Sequence, residues 1–280
     1  MKLASLIVFM AALAMVLNCK SMRINMPFFT HNGVRLAYLD APAIGVDLHE
    51  PILLIHGFAS NHVINWASTL WVKTLTEAGR RVIAIDNRGH GQSDKLYAPE
   101  DYSTQIMAAD ALALMDHLGL ARFDVMGYSM GARISAFLTA SAPPRVRGLI
   151  IGGLGHYLIE GGGLSTRIAE AMEARSLDDV TEPTQRMFRK FAESTKSDLR
   201  ALAACIRGSR QKLAPELAAR LTCPVLVAVG TTDAVAGDGQ KLVNVLPHAQ
   251  LLPIPGRDHN LAVGDKVYKA GVLAFLAQRP

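Results

Sequence analysis

A chain of 280 residues, half apolar and 19% charged, has enough apolar surface for one large core, which excludes an intrinsically disordered protein. The formal charge is +5, yet the basic residues are scattered and their densest group is only Arg186, Arg189 and Lys190, so no nucleic-acid partner is expected. Cys19, Cys205 and Cys223 stand far apart with no CxxC and no Cys/His cluster, so neither a disulfide framework nor a zinc site is expected.

Lys2 precedes an uncharged stretch from Leu3 to Leu17, followed by Asn18-Cys19-Lys20. Three readings of residues 1–21 stand side by side. The stretch is short for a bilayer span of about 20 residues and suits a signal-peptide core, although no small-x-small cleavage site follows. Cys19 invites lipid attachment, against which the bulky Asn18 counts. The working chain also fits a start at Met22 or Met26. A start there implies a cytoplasmic protein; retention of residues 1–21 implies export or membrane anchoring, and only then membrane contact. In every case the catalytic domain is expected over residues 22–280.

Pro27 to Asp40 reads as a β-hairpin around Asn32-Gly33, a favoured turn pair. Ile52–Ile55 and Val82–Ile85 read as strands buried on both faces, separated by a helix from Trp66 to Ala78 that closes at Gly79. Tyr102 to Leu118 carries apolar residues at helical spacing and stops at Gly119. A strand at Phe123–Met126, a helix from Arg133 to Ala142 and a strand at Val146–Ile151 continue the alternation. From about residue 155 to 221 the rhythm lapses into a charged helical segment, read as a cap over the sheet. Its Met172, Met187, Phe188 and Phe191 either line a pocket or fasten the cap to the body. Strand Val225–Val229, helix Gln240–Leu246, strand Leu251–Ile254 and helix Lys266–Leu276 complete the chain. Alternating strands and helices argue for a parallel sheet covered on both faces.

Gly127-Tyr128-Ser129-Met130-Gly131 sits between a buried strand and a helix, the context in which G-x-S-x-G turns a serine into an exposed nucleophile. A serine hydroxyl needs a base within hydrogen-bond reach. Among nine histidines, His259 lies past the last strand on the sheet edge that also carries Ser129. His56 and His90 are expected to brace loops, and His31, His49, His62, His117, His156 and His248 have structural readings. The base needs a carboxylate to hold its tautomer. Asp233, just past a strand, is preferred; Asp238, five residues on, is the competitor. The order serine, acid, histidine matches one known triad arrangement. A tetrahedral intermediate needs two backbone donors, expected from the Phe58 and Met130 amides.

His56-Gly57-Phe58, the run from Asp86 to Asp94, the Ser129 motif, Gly230-x-x-Asp233 and Asp258-His259 together resemble the α/β-hydrolase superfamily over residues 27 to 278. The similarity is to its small esterases, cofactor-free perhydrolases and carbon–carbon bond hydrolases. It implies an α/β fold with a mostly parallel eight-stranded sheet, helices on both faces and a helical cap. It also implies that Asp86, Arg88 and His90 belong to a structural loop rather than to the catalytic set. Relatives that open epoxides or remove halide carry aspartate where this chain has Ser129, so those reactions are disfavoured. The absence of a triple-glycine oxyanion loop weakens a lipase-like reading. The expected activity is cleavage of a carboxylic ester or related acyl bond through an acyl-enzyme, on a small-molecule acyl substrate and with no metal or organic cofactor. The rivals are a carbon–carbon bond hydrolase or a perhydrolase on the same triad, and a ligand-binding protein that has kept the fold without turnover. Substrate identity and oligomeric state are not legible.

Overall fold

The computed structural model describes residues 26–278. The apolar segment 1–21, and with it the question of export or anchoring, lies outside the described residues. No helix among them is long and apolar enough to cross a membrane.

Eight strands form one sheet in the order β1-β2-β4-β3-β5-β6-β7-β8. They are β1 (Phe28–His31), β2 (Val34–Ala41), β3 (Ile52–Ile55), β4 (Val82–Ile85), β5 (Phe123–Tyr128), β6 (Val146–Gly152), β7 (Val225–Gly230) and β8 (Ala249–Ile254). β1 pairs antiparallel with β2, and β2 antiparallel with β4; every other pairing is parallel. The near-continuous apolar runs of β3, β4, β5 and β7 are buried throughout because helices cover both faces.

Alternation along each strand divides these residues between two cores. Leu53, Ile55, Ile83, Ile85, Val125 and Val227 point to one face, toward α2 (Thr104–His117) and α3 (Met130–Ser141). Ile52, Leu54, Val82, Ala84, Met126 and Leu226 point to the other, toward α1 (Trp71–Glu77) and, near the chain's end, Tyr268 and Val272.

The helix expected from Trp66 to Ala78 is instead two pieces. A π-helical turn spans Val63–Ala67, Leu70 takes a left-handed conformation at φ 66°, and α1 begins at Trp71. The reason is steric. On one continuous helix, residues five apart point roughly 140° apart. Trp66 and Trp71 are both fully buried and meet edge to face at 6.5 Å, an arrangement that the break permits.

Between β6 and β7 lie five α-helices: α4 (Tyr157–Glu160), α5 (Ile168–Glu173), α6 (Pro183–Ser194), α7 (Leu199–Gly208) and α8 (Pro215–Ala218). Met172 and Phe188 are buried in the larger core, and Phe188 reaches Phe58 at 6.1 Å between ring centres. Phe191 packs against that core, and Met187 is largely exposed. Fastening rather than pocket lining therefore describes Met172, Phe188 and Phe191, whereas Met187 faces outward. The chain closes with α9 (Gly239–Val243), β8, α10 (His259–Ala262) and α11 (Lys266–Ala277).

Candidate active site

Because β3, β5, β7 and β8 run parallel, their carboxyl ends share one edge, and the loops after them meet there. β5 passes into α3 through Ser129, which sits at φ 56° and ψ −113°. A side chain in that region carries strain of about 1–3 kcal/mol, held in place by its surroundings. The flanking glycines are required by space. A Cβ on Gly127 would lie 2.1 Å from the Gly131 carbonyl oxygen, and one on Gly131 would lie 1.9 Å from that of Ile55. Ser129 is the N-cap residue of α3, yet its hydroxyl caps nothing, so the oxygen is left for other partners.

That partner is His259. Its Nε2 lies 3.0 Å from Ser129 Oγ, and its Nδ1 lies 2.8 Å from Asp233 Oδ2. A carboxylate only accepts, so Nδ1 carries the proton and Nε2 presents a lone pair to the serine hydroxyl. Each member is positioned by its own turn. Asp258 accepts from the Asn260 and Leu261 amides and so starts α10 at His259. Asp233 Oδ1 accepts from the Val235 and Ala236 amides, both at 2.9 Å, which aims its other oxygen at the imidazole. The Asp233 side chain is fully shielded and that of His259 is 11% exposed.

Asp238, the competitor, caps α9 through the Gln240 and Lys241 amides, and its own amide donates to His156 Nδ1 at 2.8 Å. The two aspartates thus have separate tasks, and only Asp233 meets His259.

Phe58 and Met130 border the same small cavity as Ser129. The loop carrying Phe58 is held from several sides. Gly57 N–H donates to Asn65 Oδ1 at 3.0 Å, and Thr195, at the end of α6, donates its hydroxyl to the Ala59 carbonyl at 3.2 Å. His56 donates Nδ1–H to the Gly57 carbonyl at 2.8 Å and accepts the Asn87 amide on Nε2 at 3.0 Å. Burial pulls His56 down to about 4 and His90 to about 3, so both are neutral braces, as expected. The Asp86 loop is likewise structural: Asp86 Oδ1 takes both the amide and Nδ1 of His62 at 2.8 Å. Arg88 forks onto both oxygens of Asp110. His62 had no visible partner in the sequence, because Asp86 lies 24 positions away across a strand and helix. Asn65 was missed for the same kind of reason, since nothing local marks an asparagine within a helical run as an acceptor for a loop amide.

Beside Ser129 opens a cavity of about 20 Å³, bordered by Phe58, Met130, Arg133, Leu164 and Arg210. That is room for one or two water molecules.

The architecture and the serine turn are those of an α/β-hydrolase fold. A family model described as the alpha/beta hydrolase fold matches residues 50–158. The chain is 32% identical over 252 residues to the dihydrolipoyllysine-residue acetyltransferase component of an acetoin cleaving system from Pseudomonas putida, covering 83% of this chain and 65% of that protein. It is 31% identical over 139 residues to a 2-hydroxymuconate semialdehyde hydrolase from a Pseudomonas species, covering 48% of this chain and 46% of that protein. The chain therefore spans less than two thirds of the length of these curated relatives. A crystal structure of a hydrolase from Pseudomonas aeruginosa superposes with a TM-score of 0.73 at 24% identity, over 91% of this chain and 99% of that one. The family match, the superposition and the sheet order together give this chain the α/β-hydrolase fold.

Proposed function

We propose that the protein is a serine hydrolase that cleaves carboxylic esters or related acyl bonds through an acyl-enzyme. The observation that carries the reading is the unbroken chain from Asp233 Oδ2 through both imidazole nitrogens of His259 to Ser129 Oγ, at 2.8 and 3.0 Å. In this reading Ser129 Oγ bonds to the substrate carbonyl carbon while its proton passes to His259 Nε2. Asp233 steadies the resulting imidazolium. The carbonyl electron pair moves to oxygen, where the Phe58 and Met130 amides receive it, each contributing about 3 kcal/mol to the barrier reduction. Collapse breaks the bond to the leaving group, which takes the proton from Nε2. Water then attacks the acyl carbon as it loses a proton to Nε2, and collapse breaks the bond to Ser129 Oγ, which takes that proton back from Nε2 as the acid leaves. The helix dipole of α3, whose positive end faces Ser129, favours the same developing charge.

The test is Ser129→Ala assayed on 4-nitrophenyl acetate. Turnover is expected to fall by about four orders of magnitude or more with an unchanged melting curve. Undiminished activity in a folded variant refutes the reading. Likeness to a 2-hydroxymuconate semialdehyde hydrolase favours one rival on the same triad, carbon–carbon cleavage. A panel of diketone and ester substrates separates the two. A fluorophosphonate probe separates both from a binding protein, whose serine would stay unlabelled.

A further inference from the structure

The cavity beside Ser129 has a charge inventory that the proposed chemistry leaves unexplained. Its lining contains two cations, Arg133 and Arg210, and no acidic side chain. Arg133 rises from the first turn of α3 and is 3% exposed. Its Nη1 donates to the carbonyls of Gln211 at 2.7 Å and Leu158 at 3.3 Å, and its Nη2 to that of Tyr157 at 3.0 Å. Arg210 lies just past α7 and donates Nη2 to the Gly162 carbonyl. Every acceptor is thus a neutral backbone oxygen. Among the described residues neither guanidinium forms an ion pair, although the same fold pairs Arg80 with Asp124 and Arg88 with Asp110 where arginines are buried elsewhere.

Arg133 is buried and Arg210 half-buried, so the two like charges oppose each other and each loses part of its solvation. Burial, and then the like charge of Arg210, pull the Arg133 guanidinium down to about 10; burial alone lowers Arg210. The amino end of α3 adds positive potential at the same wall. A pocket of this kind is completed by an anion.

Which half of a substrate enters follows from the base. A leaving group must lie within reach of His259 Nε2, which hands it a proton. His259 does not border the cavity, whereas Ser129 and both amide-bearing residues, Phe58 and Met130, do. The cavity is therefore on the acyl side of the scissile bond. Its small volume calls for a short group and a wall that yields. The turn Gly161-Gly162-Gly163, whose second and third residues border the cavity, has φ of 82°, 113° and 74° and no side chains to repack.

Building on the serine-hydrolase reading above, we propose that the cavity takes a short acyl group ending in a carboxylate, gripped by Arg210 and Arg133, so that the preferred substrates are half-esters of small dicarboxylic acids. Arg210 makes the better test position because Arg133 also braces three carbonyls of the helical segment.

The experiment compares monomethyl succinate with methyl pentanoate, by acid release, on wild type, Arg210→Gln and Arg210→Lys, with thermal melts to establish folding. Wild type is expected to favour the anionic ester in kcat/KM. That ratio should fall about 10- to 100-fold in Arg210→Gln, the size of one or two charge-assisted hydrogen bonds. Arg210→Lys, which keeps the charge without the fork, should fall in between. Equal or better handling of methyl pentanoate by wild type overturns the proposal, as does a proportional loss on both esters in Arg210→Gln. A parallel arm titrates succinate into Ser129→Ala and into Ser129→Ala/Arg210→Gln by calorimetry. Binding to the first and its loss in the second supports the anion site; no binding to the first overturns it. If wild type hydrolyses 4-nitrophenyl acetate but neither methyl ester, the half-ester preference is overturned; if it hydrolyses none of the three, the hydrolase reading fails and the calorimetry still judges the anion site by itself.

Discussion

Tyr128 donates its hydroxyl to the backbone carbonyl of His259 over 2.7 Å, and their rings stand 5.4 Å apart. The residue leading into the serine turn thereby holds the backbone of the proposed base, across 131 positions of sequence. Burial raises the Tyr128 hydroxyl well above its ordinary range, so it remains a donor at every working pH. Tyr128→Phe leaves that carbonyl without its partner. A stability loss of about 1–3 kcal/mol is expected by chemical denaturation, with a several-fold drop in kcat and little change in KM. Wild-type kcat in the variant would show the tether to be dispensable.

Asp233 and Asp238 offer a direct contrast. Asp233→Asn replaces the acceptor that holds the imidazole with Nδ1 protonated, and kcat on an aryl acetate is expected to fall by about 10⁴. Asp238→Asn conserves a good helix cap and is expected to leave kcat at the wild-type value. Steady-state kinetics on both variants decides the assignment; the reverse pattern exchanges their roles.

Asn65 holds the Gly57 amide, one residue before the proposed oxyanion donor Phe58. Asn65→Ala frees the loop to shift by a few tenths of an ångström. A fall in kcat of about 10- to 100-fold, exceeding any change in KM, is expected from a misplaced donor. A pure KM effect would instead place Asn65 in substrate binding.

The buried pair His56 and His90 makes stability depend on pH. Burial, the largest cause, lowers them to about 4 and about 3, whereas the unfolded chain takes up these protons near 6.5. Between pH 6.5 and 4 the unfolded state therefore binds more protons, so stability falls as the pH falls through this window. Tm followed from pH 7.5 to 4.5 should decline steadily below about 6.5, and His90→Gln should flatten the slope. A level Tm across the window contradicts neutral burial of these rings.

Much of the candidate site is legible in the sequence. Ser129 and His259 announce themselves because their chemistry demands fixed local surroundings: glycines at Gly127 and Gly131 where a Cβ has no room, and a loop directly beyond a parallel strand. Asp233 ranked ahead of Asp238 by its nearness to the end of β7, and the separate capping task of Asp238 explains why a second aspartate stands so close. The Trp66–Ala78 helix was misread because helical periodicity records only which residues are apolar. It does not record that two indoles five positions apart must face one sheet. Met172, Phe188 and their neighbours were ambiguous for a similar reason, since apolar side chains look alike whether they line a cavity or close one.

By itself the sequence determined the order of strands and helices, the serine turn and the two other residues that can complete a proton relay, because each is encoded in spacing of a few residues. Tertiary structure alone decided what meets across long separations. It placed Asn65 on the Gly57 amide, His62 on Asp86, Tyr128 on the backbone of His259, and two arginines without a counter-charge around the same small cavity. Hydrogen bonds and ion pairs depend on distance and direction in space, and once the chain folds back on itself those are set by the packing of whole elements, with no trace in local composition.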